Sequence, residues 1–345
     1  MRRSSTTLGL VIAVVASATF GTSGAFIKPL LEAGWSPAAA VTVRALVGGI
    51  VLTPVALFSL RGNWSALWRA RWRVLLMGLI GVAGTQVLYF AAIQRIPVGT
   101  GILIEYMAPL LLVLFVWART RKVPKVVVLI GSVVALVGLV LVVSPRGGAA
   151  SLDVLGLTFA IVAMVGCSVY YVVAAAPSDG LPPVALAASG LVLGGIVLGL
   201  VGVTGILPFT ATFGQVQMFG GTASWWVPLL IVGVVGTAIA YASSITASEM
   251  LGSRLASFVG LLEVVAATFY AWLLLGESLS VPQLLGGLLI LVGIGFVRSE
   301  KSAPTDLPTG VLPDTSPVRS ATPATATAPD RESRAVGYSD KAGGR

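Results

Sequence analysis

Apolar residues in this chain gather into long blocks separated by short polar connectors, and each block runs roughly 18 to 22 residues. At about 1.5 Å of rise per residue, such a block crosses a hydrocarbon layer about 30 Å thick. Ten blocks follow one another, at 8–27, 38–59, 74–93, 98–118, 126–144, 153–175, 184–203, 225–245, 255–275 and 281–298. They predict an all-α integral membrane protein of ten transmembrane helices. The connectors are short except 204–224, which is rich in Gly, Thr and Phe. After Arg298 the pattern ends, and Pro, Thr, Ala, Ser and Gly dominate from 303 onward, so 299–345 is expected to be a disordered cytoplasmic tail.

Composition supports the class: 56% of residues are hydrophobic and 10% charged, where soluble domains are about a quarter charged. The net charge of +9 does not point to nucleic acid, because the cations sit beside the blocks. Arg2, Arg3, Arg61, Arg69, Arg71, Arg73, Arg119, Arg121, Lys122, Lys125, Arg254, Arg298 and Lys301 fall on one side, and Lys28, Arg95 and Arg146 on the other. This asymmetry places both termini in the cytoplasm and the chain in the cell membrane. Trp64, Trp68 and Trp72, interleaved with Arg69, Arg71 and Arg73, read as an anchor at the lipid headgroups. Ala16-Ser17-Ala18 looks like a cleavage site, but the apolar block runs on to Ile27, so an uncleaved first span is expected.

Several chemistries are excluded. There is no histidine and Cys167 is the one cysteine, so disulfides, Cys/His metal sites and histidine-based catalysis are out. No phosphate-cradling G-x-x-x-x-G-K loop occurs, and no cofactor is expected.

The chain repeats itself. A shift of 155 brings Trp117 onto Trp272, Gly131 onto Gly286 and Val137-Gly138 onto Val292-Gly293. A shift of 152 brings Gly81, Gly84, Thr85 and Tyr89 onto Gly233, Gly236, Thr237 and Tyr241, and one of 146 brings Pro37 and Gly48-Gly49 onto Pro183 and Gly194-Gly195. Two units of five spans, 8–144 and 153–298, must enter the membrane with opposite polarity because five is odd. Inverted repeats place a substrate site near the midplane between the halves.

Gly101-Ile102-Leu103-Ile104-Glu105-Tyr106-Met107-Ala108-Pro109, Leu261-Leu262-Glu263, Ala271 through Leu279 and Gln283-Leu284-Leu285-Gly286-Gly287 resemble the EamA-type repeats of the drug/metabolite transporter superfamily. The resemblance covers 8–298. It implies ten helices with cytoplasmic ends, a central cavity lined by both repeats, and secondary transport of small metabolites, often outward. Two departures stand out: Arg121-Lys122 where the second repeat keeps Gly276-Glu277, and Val264 where a proline often follows the glutamate.

Glu105 and Glu263 lie near the centres of their spans, where an ionised group is costly and normally faces a polar path. Each is a candidate to carry a proton or bind a cationic substrate, against the plainer reading of a protonated acid hydrogen-bonded between helices. Pro109, four residues after Glu105, should loosen its helix. Arg44 is expected to pair structurally with a carboxylate or backbone carbonyls, with a counter-ion role as the alternative. Tyr89, Tyr241, Tyr106, Gln86, Ser244 and Tyr170 are polar side chains at plausible depth. Singly they read as helix-to-helix hydrogen bonds, and together as the lining of a path. The glycines at 190, 194, 195 and 199 favour close packing within the bundle over a homodimer contact.

The leading expectation is a secondary transporter of a small-molecule substrate, exporting amino-acid-like compounds or drugs, with protons as the expected coupling ion and facilitated diffusion as the alternative. An importer and a non-transporting receptor or structural protein are the alternatives.

Overall fold

The computed structural model describes residues 2–96, 98–121, 123–143, 153–178, 180–276 and 280–299. Lys122, Arg146, the motif residues Glu277, Ser278 and Leu279, and the tail from 300, Lys301 included, therefore lie outside the described residues. Ten apolar helices are seen within them: α1 (Thr6–Glu32), α2 (Pro37–Leu60), α3 (Arg71–Ala92), α4 (Gly101–Thr120), α5 (Val126–Val142), α6 (Val154–Ala175), α7 (Pro183–Val203), α8 (Trp226–Leu251), α9 (Ser253–Leu275) and α10 (Val281–Ser299). Among the described residues, nine are long and apolar enough to cross a membrane, and α5 is the shorter one. Their outer faces carry side chains such as Phe58, Leu200, Val133 and Leu288, each more than half exposed. That surface suits lipid rather than water.

The helix ends follow local chemistry. Ser36 precedes α2 and accepts from the Ala39 amide at 3.3 Å, with Pro37 preset for the first turn. Asp153 caps α6 through the amides of Leu155 and Gly156. Gly276 ends α9 in the left-handed conformation at φ 68°, which glycine adopts without strain.

Each first helix of a sequence half packs on the other half: α1 lies against α8 and α9, and α6 against α3 and α4. The α2–α7 and α5–α10 pairs close the bundle. At α5–α10 the backbones nearly touch. A methyl placed on Gly138 would meet the carbonyl oxygen of Gly286 at 2.5 Å, and one on Gly286 would meet that of Gly138 at the same distance.

Four helices are irregular. Leu76–Gly84 in α3 and Val234–Ile239 in α8 are π-helical. Helix α4 ends its first segment at Glu105 and resumes at Ala108, while α9 breaks at Leu261 between Gly260 and Leu262. In α4 the cause is Pro109, which has no N–H to offer the Glu105 carbonyl one turn back. Around Met107 and Leu261 the chain uses three-residue bonds, Leu110 N–H to Met107 O at 2.9 Å and Leu261 N–H to Phe258 O at 3.2 Å.

The long connector carries a short element besides the helices: Gln215–Met218 and Gly221–Ser224 pair as an antiparallel hairpin, turned at Phe219 and Gly220. This segment is fastened to the α1–α2 connector by the Trp35 indole N–H to Thr212 O at 2.7 Å and Ser36 N–H to Thr210 O at 2.9 Å. One expectation needs correction, that for Arg73. It is not an interfacial anchor but is buried, 3% exposed, and donates to the last carbonyls around α6, Pro177 O at 2.7 Å and Val173 O at 3.2 Å. A cation there satisfies carbonyls left open by the helix end. Trp64, Trp68 and Trp72 do stay exposed, with the Arg71 guanidinium 5.2 Å from the Trp68 ring.

Candidate functional site

A cavity of about 550 Å³ penetrates the bundle. It starts at the α1–α2 connector beside Lys28, Leu31 and Pro37 and ends on a floor of Tyr170, Tyr171 and Ser257. Every residue singled out from the sequence lines it: Arg44 on α2, Gln86 and Tyr89 on α3, Glu105, Tyr106 and Pro109 on α4, Tyr170 on α6, Tyr241 and Ser244 on α8, and Glu263 on α9. The irregular segments account for much of this placement. Glu105 ends the first part of α4 and Glu263 opens the second part of α9, so both acids project from helix breaks. Broken helices are tolerated at membrane depth where they line a cavity.

The two carboxyls and the Tyr106 hydroxyl are close enough to act on one another. Arg44 does not make the structural pair expected of it. Among the described residues it has no contact ion pair or hydrogen bond, and its guanidinium acts on Glu105, Glu263 and Tyr241 across open space. Arg44 therefore faces two acids in the chamber, while Lys28 stands at its mouth.

Aromatic rings, with aliphatic side chains such as Ile27, Val41 and Ile102, form the rest of the wall. Tyr241 stands edge-on to both Phe20, with centroids 5.1 Å apart, and Tyr170, at 5.8 Å. The Tyr170 hydroxyl donates to Ser244 Oγ at 2.8 Å, which fixes the floor between α6 and α8. The negative faces of such rings attract a cation that has left water.

The sequence reading passed over Lys28, Thr85, Cys167, Tyr171 and Ser257, all of which also line the cavity. Helical spacing held the signal for some of them. Cys167, Tyr170 and Tyr171 stand at i, i+3 and i+4, and Phe20, Gly24, Ile27, Lys28 and Leu31 share one face of α1. Gly24 is exposed on that face with nothing within 4 Å of where a Cβ would sit. A ring or branched chain there would take up cavity space.

Comparison with known proteins agrees with this architecture. Residues 7–144 and 154–299 each match the model of the EamA-like transporter family. An uncharacterized inner membrane transporter of Salmonella typhimurium, YicL, is 24% identical over 303 residues, covering 84% of this chain and 95% of that protein. An uncharacterized transporter of Archaeoglobus fulgidus is 28% identical over 206 residues, 60% of this chain and 69% of that one. A crystal structure at 21% identity superposes with a TM-score of 0.69 over 84% of this chain and 96% of the other, which shows a shared fold. The apolar helices, the cavity between them and the double match identify the chain as a multi-pass membrane protein that belongs to the EamA-like transporter family.

Proposed function

We propose that this protein is a secondary transporter of the cell membrane, built as two inverted repeats of five helices with both termini in the cytoplasm. It moves small solutes that carry both charges, amino-acid-like compounds or drugs among them, outward and in exchange for protons.

Reciprocal contacts support the inversion. Gly131 meets Gly293 while Gly138 meets Gly286, so each position touches the partner of the other, as a pseudo-two-fold axis requires. The same crossing recurs between Gly49 and Val192 and between Gly195 and Leu46. In α3 and α8, Gly78 meets Leu193 as Gly233 meets Val47, and Gly81 meets Tyr170 as Gly236 meets Ser23. These pairs favour a shift of 155 rather than 152 there, which sets Tyr89 opposite Ser244 and Gln86 opposite Tyr241. It also aligns the ends of the two π-helical stretches, Gly84 and Ile239.

The observation that carries the function is the chamber itself, where Glu105, Glu263 and Arg44 share aromatic walls. With the coupling proton on one of the two acids, a solute with a carboxylate and an ammonium finds Arg44 and the other acid as partners, whereas a singly charged solute leaves one of these two unanswered. With the termini inside, the chamber opens outward and its floor closes the inner side. Rocking one half against the other would reverse this arrangement.

The test is transport in liposomes with an imposed pH gradient, using a panel of radiolabelled neutral amino acids. Glu263→Gln is expected to abolish gradient-driven accumulation while leaving exchange across the membrane. Equal accumulation by variant and parent removes the coupling role.

A further inference from the structure

Helix α1 carries three glycines, and they are not alike. A Cβ on Gly9 would sit 2.9 Å from the Leu251 side chain and one on Gly21 2.7 Å from the Ala266 Cβ, so both are packing positions where α1 lies against α8 and α9. At Gly24 a Cβ would have nothing within 4 Å among the described residues. This glycine lines the chamber, together with Phe20 four residues before it and Ile27 three residues after it on the same helical face. The other glycine of the chamber wall, Gly81, lacks such room, because its Cβ would meet the Cβ of Tyr170 at 3.3 Å. Glycine is a poor helix former, so one inside a helix where no neighbour requires it calls for another reason. Here that reason is the space it leaves in the chamber.

The level of that space matters. Leu31 and Pro37 stand at the mouth; Gly24 precedes Leu31 by seven residues and Arg44 follows Pro37 by seven, so each lies about 10 Å of helix in from the mouth. In an amino-acid-like solute the side chain leaves the carbon next to the carboxylate. A carboxylate held at Arg44 therefore sends its side chain off at about the level of Gly24. The chamber's apolar side chains, Phe20, Ile27, Val41, Phe90 and Ile102 among them, suit such a group, which has no hydrogen bond to lose on leaving water. The volume of about 550 Å³ falls within roughly 300 to 1,000 Å³, the range of sites that enclose one small organic molecule. We propose that the open face of Gly24 seats the apolar side chain of the solute, so that this residue sets how large a side chain the protein accepts. The solutes favoured are zwitterions with large apolar side chains, since a small one leaves apolar wall uncovered. Selection at this subsite is by volume, not by charge. The subsite deepens the function proposed above and rests on it, but it concerns the solute's side chain and neither the protons nor the acids.

Exchange of radiolabelled alanine, leucine and tryptophan across liposomes without a pH gradient tests the subsite, using the full chain and the variants Gly24→Ala and Gly24→Val. The readout is the ratio of tryptophan to alanine exchange. An extra methylene in an apolar pocket discriminates by roughly tenfold or more, so the ratio is expected to fall by about tenfold or more in Gly24→Val, less in Gly24→Ala, with leucine between the other two solutes. A ratio indifferent to both substitutions overturns the proposal. An equal loss for all three solutes overturns it too, in favour of Gly24 as a flexible point of α1. Folding is read without any solute: because a Cβ there meets nothing, Gly24→Ala is expected to melt in detergent at or above the parent. A lower melting point overturns the proposal, since protein and not solute would then fill the space. The same series run with the corresponding amines, which lack the carboxylate, separates the subsite from the function it rests on. Amines exchanged as fast as the amino acids, with the size dependence kept, overturn the two-charge reading and leave the subsite standing. Amino acids exchanged faster than amines but with an unaltered ratio do the reverse. A parent that exchanges none of these solutes overturns both.

Discussion

Helices α5 and α10 cross at four glycines and run unbroken, whereas α4 and α9, the helices just before them in the two halves, each break beside an acid. The first pair puts backbone against backbone, where a two-state shift has no side chain to absorb it. The second pair frees backbone groups at the level of the chamber and leaves side chains facing open space. A transporter needs both kinds of contact, a fixed seam about which halves can turn and compliant walls around the solute. The difference teaches that small residues and a missing N–H, more than the apolar pattern, divide this bundle into a tightly packed seam and an irregular lining.

The largest expected effect comes from breaking the seam. In Gly138→Leu the new Cβ would sit 2.5 Å from the Gly286 carbonyl oxygen, an atom of the backbone that cannot swing away. Overpacking of this kind is destabilising by about 1 to 3 kcal/mol or more. The variant is expected to melt well below the parent in detergent and to lose monodisperse protein on gel filtration. A melting point within error of the parent would show that α5 and α10 are not a fixed frame.

Next in size is a change of opposite sign in the lining. Pro109→Ala restores an N–H that can reach the Glu105 carbonyl, so α4 can close across its break. A proline inside a helix is destabilising by about 3 kcal/mol, and part of that should be recovered. The expected outcome is a higher melting temperature with a lower transport rate in the liposome assay. Faster transport together with higher stability would mean that the break serves no movement.

How much of this contrast was legible beforehand follows from its causes. Long apolar blocks and centrally placed acids are read directly from residue type, so the helices and ten of the residues that line the chamber could be named in advance, whereas Lys28, Thr85, Cys167, Tyr171 and Ser257 could not. The α4 break was half visible through Pro109, but the α9 break has no proline and gave no sign beyond Gly260. Arg73 was misread because a cation beside tryptophans looks the same whether it faces lipid headgroups or turns inward to cap a neighbouring helix. The hairpin lay behind Phe219-Gly220, a two-residue turn with φ of 51° and 81° whose first position is not a residue that favours that conformation. The register of α3 against α8 was ambiguous in the sequence because glycines recur three apart, so shifts of 152 and 155 both bring glycine onto glycine.

The smallest effect sharpens the contrast at the connector end. Arg95 and Asp153 join the end of α3 to the start of α6 at 3.3 Å, with both side chains nearly half exposed. Desolvation pushes the Asp153 carboxyl up, but the Arg95 hydrogen bond, the amides of Leu155 and Gly156 and the Arg95 charge together outweigh it and hold the group below the usual carboxylate range. Because the folded value is the lower one, this contribution is complete above the unfolded value of about 3.9. It is lost as pH falls through the folded value. Asp153→Asn keeps an oxygen to cap α6 but removes the charge. Its melting temperature should fall only slightly below the parent's at neutral pH, less so in high salt, and the gap should close on acidification below pH about 4. A large gap that salt does not touch would place part of the frame in this exposed clasp instead of in the glycine seam.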